Sequence, residues 1–143
     1  MAFFIISGCA AETVIRTSLN RNLLQQEDMR RIVVFSFDSP MDDLQAGSHI
    51  SQLFELYLLQ TGLYQIAERG AVQKFLRDRW YSRSPEMDPA TLRQIRKQLG
   101  VDGVILGSIG QYNRVDFGFT TRLVSVKSGL VLWSISQTGG RIV

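Results

Sequence analysis

The sequence predicts a single α/β domain, a mixed sheet of about five strands covered by helices in the order β-α-β-α-α-β-β-β. Three observations carry this. Two short apolar runs, Ile32 to Phe37 and Val101 to Ile109, are apolar at successive positions, as strands buried on both faces are. Between them lie stretches whose apolar residues recur at helical spacing. In the last third, Val115, Phe117, Phe119, Thr121 and Leu123 alternate with Asp116, Gly118, Thr120 and Arg122, a period of two. A chain of 143 residues can bury one core of this kind.

The elements follow in order. Ala10 to Arg31 is polar and mixed, with Asn20, Arg21, Asn22, Gln25, Gln26, Glu27 and Asp28 outnumbering Leu19, Leu23 and Leu24, and reads as a partly helical tether. The domain proper then spans 32–143. Its first strand, IVVFSF, ends at Asp38, Ser39 and Pro40. Ile50, Leu53, Phe54, Tyr57 and Leu58 fall at i, i+3, i+4, i+7 and i+8, which predicts the buried side of a helix stopped by Gly62. A short strand over Leu63 to Ala67 precedes a second helix marked by Val72, Phe75, Leu76 and Trp80. Tyr81 to Asp88 interrupts it. Asp88-Pro89 is a start signal, because the aspartate can accept from free helix N–H groups and proline fixes φ at the first helical position. Leu92, Ile95 and Leu99 line that third helix, and Gly100 closes it. After the run from Val101 to Ile109, Lys127, Ser128 and Gly129 form a hairpin turn that sends Leu130 to Ser136 back as the last strand.

Composition narrows the function. Lys plus Arg number 16 against 13 Asp plus Glu, a net charge of +3, too slight to indicate nucleic acid. No apolar run reaches the ~20 residues of a membrane-spanning helix, and the body of the chain is expected to be soluble. The single cysteine, Cys9, rules out an intrachain disulfide and a cysteine-type metal site.

The surroundings of that cysteine, FFIISGCAAE, admit two readings. Ile6, Ser7, Gly8 and Cys9 fit an aliphatic residue, two small residues and a cysteine, the pattern cleaved before a lipid-modified cysteine, with 1–9 as the end of a truncated signal peptide. The basic start and full apolar length of a signal are missing, so an N-terminal strand carrying a buried free cysteine remains the alternative.

Chemistry is sparse. His49, the only histidine, sits near the start of the first long helix and is expected to be an exposed first-turn residue rather than a general base. Gly107-Ser108-Ile109-Gly110 is not followed by a lysine or a helix start, so both glycines are read as relieving curvature or close packing, not as cradling phosphate. No catalytic, cofactor or metal residues are expected. Asp38, Asp42 and Asp43 are read as a solvated loop. An alternative small-ligand site would use the loops after Phe37 and Ile66, where Asp38, Asp42, Glu68 and Arg69 could converge. Arg77, Arg79, Arg83, Arg93, Arg96 and Lys97 concentrate on and between the second and third helices. With Trp80 and Tyr81 they form the candidate partner-binding surface, for acidic protein or lipid head groups, set against an ordinary solvated face. Trp133 is expected in the core. The sequence shows no zipper and no large apolar patch.

The stretch from Leu99 to Trp133 carries VDGVILGSIGQY, TTRLVSV and KSGLVLWS, preceded by RIVVFSF and GLYQIAERGAVQKFL. This pattern, over roughly 30–138, resembles the CsgG-like envelope lipoproteins, a superfamily that spans curli secretion, cell-wall-synthase activation, flagellar outer-membrane lipoproteins and the N-terminal domain of TolB. The resemblance implies a lipobox cysteine, here Cys9, before a tether. It implies a non-enzymatic periplasmic domain anchored to the outer membrane, touching the membrane through its lipid alone. Its partners would be envelope proteins, with a homo-oligomer compatible, and Ala10 beside the cysteine suits outer-membrane sorting. Tyr81 to Asp88 and Gln111 to Arg114 are too short for the barrel hairpins of the secretion channel, which need ~9–11 residues per strand. A channel is therefore not expected.

Overall fold

The computed structural model describes residues 2–8, 11–39, 44–79, 87–112 and 117–139. In them the chain forms β1 (Ala2–Gly8), β2 (Ala11–Leu19), α1 (Arg21–Gln26), β3 (Arg31–Val34), α2 (Ala46–Thr61), β4 (Gln65–Ile66), α3 (Arg69–Asp78), α4 (Pro89–Leu99), β5 (Gly103–Tyr112), β6 (Phe117–Ser125) and β7 (Val131–Thr138). The α/β class and the order β-α-β-α-α-β-β-β hold from β3 onward. The sheet has seven strands, not about five, in the spatial order β1-β2-β7-β6-β5-β3-β4.

The two additional strands lie where a signal end and a tether were expected. β1 and β2 form an antiparallel pair, and β2 continues onto β7, with Thr17 opposite Ile135 and Leu19 opposite Trp133. The reason is visible in the residues of β2. Ile15, Thr17 and Leu19 share the sheet face of Ile135 and Trp133, while Arg16 and Ser18 lie opposite Ser136 and Ser134 on the other. That is a half-buried strand with period two, masked by the polar residues around it. α1 follows, capped by the Asn20 side chain, which accepts from Leu23 N–H at 3.2 Å.

β3 is central to the sheet's parallel part, pairing with β4 on one side and β5 on the other. The crossover from β3 to β4 moves outward along the sheet, and that from β4 to β5 moves back across β3. Right-handed connections that run in opposite directions lie on opposite faces. The packing agrees. One core layer joins Phe35, Val33, Val104 and Val124 to Val72 and Phe75 of α3 and Leu92 and Ile95 of α4. The other joins Ile32, Phe37, Ile105, Leu123 and Leu132 to Leu23 and Leu24 of α1 and Ile50, Phe54 and Leu58 of α2.

Close packing fixes α2 on the sheet. A Cβ on Gly107 would sit 2.7 Å from the ring of Phe37, so the glycine lets that ring lie flat on β5. Phe37 then meets Phe54 of α2 at 5.9 Å between centroids, and Phe54 meets Trp133 of β7 at 6.3 Å. This places Trp133 against the core. Gly110 lies at the register shift between Ile109 and Gln111, so both glycines serve packing and curvature.

The buried side of α2 matches the predicted one only in part. Ile50, Phe54 and Leu58 do pack inward, but Leu53 and Tyr57 are 41% and 66% exposed, and the fully buried inward positions are small, Gly47 and Ser51 among them. Gly47 approaches the Phe37 carbonyl too closely for any side chain, which brings the start of the helix down onto the end of β3. The remaining signals act as read. Asp88 caps α4 by accepting from Thr91 N–H at 2.7 Å, and Gly100 takes the left-handed C-terminal position at φ 62.

Candidate interaction surfaces

Three places were marked by the sequence, and the structure treats them differently. At the carboxyl ends of β3 and β4, where the chain leaves toward opposite faces, α/β sheets commonly bind ligands. Here a cleft of about 110 Å3 lies between Val34, Ser36, Ser48, Gln52, Glu55 and Arg69. Arg69 Nη2 donates to Glu55 Oε2 at 2.9 Å, with the two side chains only 32% and 17% exposed. The pair joins α3 to α2 around the end of the sheet. Ligand sites usually offer ~300–1,000 Å3, and this cleft is well below that.

The four residues expected to converge there are already engaged or lie elsewhere. Glu68 caps α3, accepting from Gly70 and Ala71 N–H at 2.9 and 3.1 Å. Asp38 is exposed, and its backbone joins β5, donating to Gly107 O at 2.9 Å and accepting from Ile109 N–H at 2.8 Å. Arg69 is paired with Glu55 as above, and Asp42 falls outside the described residues, as does Asp43. Among the described residues no three His, Cys, Asp or Glu side chains gather as a metal ion would require. His49 is exposed on the first turn of α2.

The basic surface belongs to the opposite layer. Arg77 is exposed in the last turn of α3, and Arg93, Arg96 and Lys97 are exposed on α4, whose helical residues include no acid. Arg96 and Lys97 near the α4 carboxyl end also complement its dipole. Arg79 plays a different part. Its guanidinium lies 4.3 Å from the centre of the Phe75 ring, and its Nε donates to Gln94 Oε1 at 2.5 Å, tying α3 to α4. It is therefore a half-buried brace between the helices. Trp80, Tyr81 and Arg83 lie outside the described residues. So does Cys9.

Two features escaped the sequence reading. Asp102 Oδ2 accepts from the backbone N–H groups of Arg30 and Arg31 at 3.1 and 3.0 Å, while its own N–H donates to Arg31 O at 2.7 Å. It locks the entrance of β3 to that of β5. Its signal was the aspartate of VDG just ahead of an apolar strand. The second is the outer side of α2, where Leu53, Leu56, Tyr57 and Leu59 are 41 to 66% exposed, followed by Leu63 at 72%. Among the described residues, no helix is long and apolar enough to cross a membrane.

Comparison with known proteins bears on this architecture. No curated protein sequence matches the chain significantly. Among solved structures, the PelC dodecamer of Paraburkholderia phytofirmans superimposes with a TM-score of 0.59 at 19% identity, over 90% of this chain and 82% of that one. Lipoprotein GNA1162 of Neisseria meningitidis gives 0.59 at 17% identity, over 78% of this chain and 84% of that one. The LpoB C-terminal domain of Escherichia coli gives 0.61 at 12% identity, over 85% and 92%. At these identities the likeness is one of fold. The sequence itself matches the family profile described as curli production assembly/transport component CsgG across residues 21–116. This match runs from α1 through β5, and the chain belongs to the CsgG family.

Proposed function

We propose that the chain is a non-enzymatic periplasmic lipoprotein domain, anchored to the outer membrane through Cys9, that mediates protein–protein contacts in the assembly or regulation of an envelope machine. Membership in the CsgG family over residues 21–116 is the observation that carries this reading. One solved structure of the same fold is a lipoprotein and another a dodecamer, which favours an anchored, assembling protein here. The polar side chains support it as well. Glu68, Asp88 and Asp102 hold backbone N–H groups and Arg69 holds Glu55, so these side chains are committed to architecture.

Within this reading Arg77, Arg93 and Arg96 form the partner-facing surface, with Arg79 bracing α3 to α4 beneath it, and its partner is an acidic face of an envelope protein; the contribution expected from Trp80, Tyr81 and Arg83 falls outside the described residues. Cleavage before Cys9 removes β1 and leaves the lipid two residues ahead of β2, so the domain sits close to the membrane and not at the end of a long tether. Several acyl chains on that cysteine hold it there, since one alone binds only marginally. The test is metabolic labelling with an alkyne-bearing fatty acid in an expressing bacterium. Label is expected on the native chain in the outer-membrane fraction, and Cys9→Ser should lose both label and sedimentation. An unlabelled native chain with β1 retained would overturn the anchor.

The small-ligand alternative rests on the cleft at Glu55 and Arg69. A rise in melting temperature with nucleotides or cell-wall fragments would favour it.

A further inference from the structure

We propose that the outward face of α2, centred on Leu56, is the surface by which the chain binds a second copy of itself. The inference specifies the self-contact that an assembling envelope domain would use, and so deepens the proposed function, but it does not depend on the lipid anchor.

α2 reads AGSHISQLFELYLLQT, and its sole charged residue is Glu55, held against Arg69 near the sheet. At 100° per residue, Leu56 points directly away from Leu58 and Gly47, flanked by Leu53, Leu59 and Gln60. A helix that is apolar all round is normally a buried helix. Here one side is buried by the sheet, and the other is open, with Leu56 50% and Leu59 54% exposed. Counting ~200 Å2 for a fully exposed large side chain, Leu53, Leu56, Tyr57, Leu59 and Leu63 leave on the order of 500 Å2 of contiguous side-chain area open, the upper range for a monomer's largest patch.

The absence of charge selects the occupant. A bilayer-binding helix carries Lys or Arg along its polar border, and α2 has neither. A heterologous partner usually finds its site by complementary charge, which this face does not offer. A second copy needs none. In an isologous contact each patch meets its own image, so an uncharged face buries no unpaired ion and Leu56 approaches its counterpart at the two-fold axis. The area fits too, since ~800 Å2 per partner is a standard interface and its centre is the apolar part. Gln52, Gln60 and His49 then supply the polar rim.

The test uses the full chain with Cys9→Ser, so that neither lipid nor the native thiol contributes. Sedimentation equilibrium is expected to show association in the micromolar range, weakened at least about 30-fold by Leu56→Glu, as for a central interface contact. Circular dichroism and melting temperature should stay unchanged, because the residue lies outside the core. In a parallel experiment, Leu56→Cys in the same background should yield a disulfide-linked dimer on mild oxidation, and Arg77→Cys on the opposite layer should not. A chain that is monomeric throughout that range overturns the proposal, as does association that Leu56→Glu leaves intact. Flotation with vesicles of phosphatidylethanolamine and phosphatidylglycerol, abolished by Leu56→Glu, would assign the face to lipid and overturn it equally. Failure of Cys9 lipidation would show in labelling and leave these results untouched.

Discussion

α2 and α4 cover the two faces of one sheet, yet they divide their residues in opposite ways. α4 buries Leu92 and Ile95 and turns Arg93, Arg96 and Lys97 outward, so its inner and outer sides differ in the sequence itself. α2 buries Gly47 and Ser51 and half-buries Ile50, Phe54 and Leu58, while leucines occupy its outer side as well. The consequence is twofold. The solvent side of α4 is polar and suits a charged partner, whereas that of α2 remains costly to leave in water. And the apolar pattern that locates the buried stripe of α4 cannot locate that of α2, because periodicity needs polar residues for contrast.

Three substitutions probe this difference, beginning with the largest effect. Ile95→Ala removes a fully buried side chain from the inner side of α4 and should lower stability by about 2–5 kcal/mol, read from the urea midpoint. An unaltered midpoint would mean that α4 is not held by its apolar stripe. Next, Arg69→Ala breaks the tie between the α2 and α3 layers and leaves Glu55 largely buried without its cation, with an expected loss of about 1–3 kcal/mol. If the loss is smaller than 0.5 kcal/mol, on the scale of an ordinary surface change, the two layers are coupled through the sheet alone.

The smallest effect concerns the start of α4. The Thr91 N–H bond to Asp88 holds that carboxyl below its ordinary value. A lowered folded-state value means that Asp88 stabilises the fold fully above the ordinary aspartate range, and that this contribution fades as pH falls through the lowered value. Asp88→Ala should therefore melt earlier than the native chain at neutral pH, and the gap should close in strong acid. A gap independent of pH would assign the effect to the bare backbone preference at the cap.

Much of the fold was legible from residues that act locally. Asp88-Pro89, Gly62, Gly100 and the Lys127–Gly129 turn set helix ends and a hairpin through backbone preferences that need no neighbours. The order of elements from β3 onward followed from the spacing of apolar residues. The candidate site was less legible. Arg79 looked like its surface neighbours, but only the packed helices show its guanidinium over Phe75 and bonded to Gln94. Glu68 and Arg69 were adjacent in sequence and expected to converge on a ligand. The helix that begins between them sends one carboxylate back to its own N–H groups and the other side chain across to Glu55.

The sequence by itself determined the central β-α-β-α-α-β-β-β order, the helix ends at Gly62, Asp88 and Gly100, the packing role of Gly107 and Gly110 and the family. Each is written in periodicity, in a residue's own conformational preference or in side-chain size. Only the tertiary structure decided that Ala11–Leu19 joins the sheet beside β7, that Asp102 clamps the start of β3, and that α2 leaves its leucines outside. These outcomes depend on partners distant along the chain. A strand is a strand only when another offers its free N–H and C=O groups, and a face is exposed only when nothing else has packed against it.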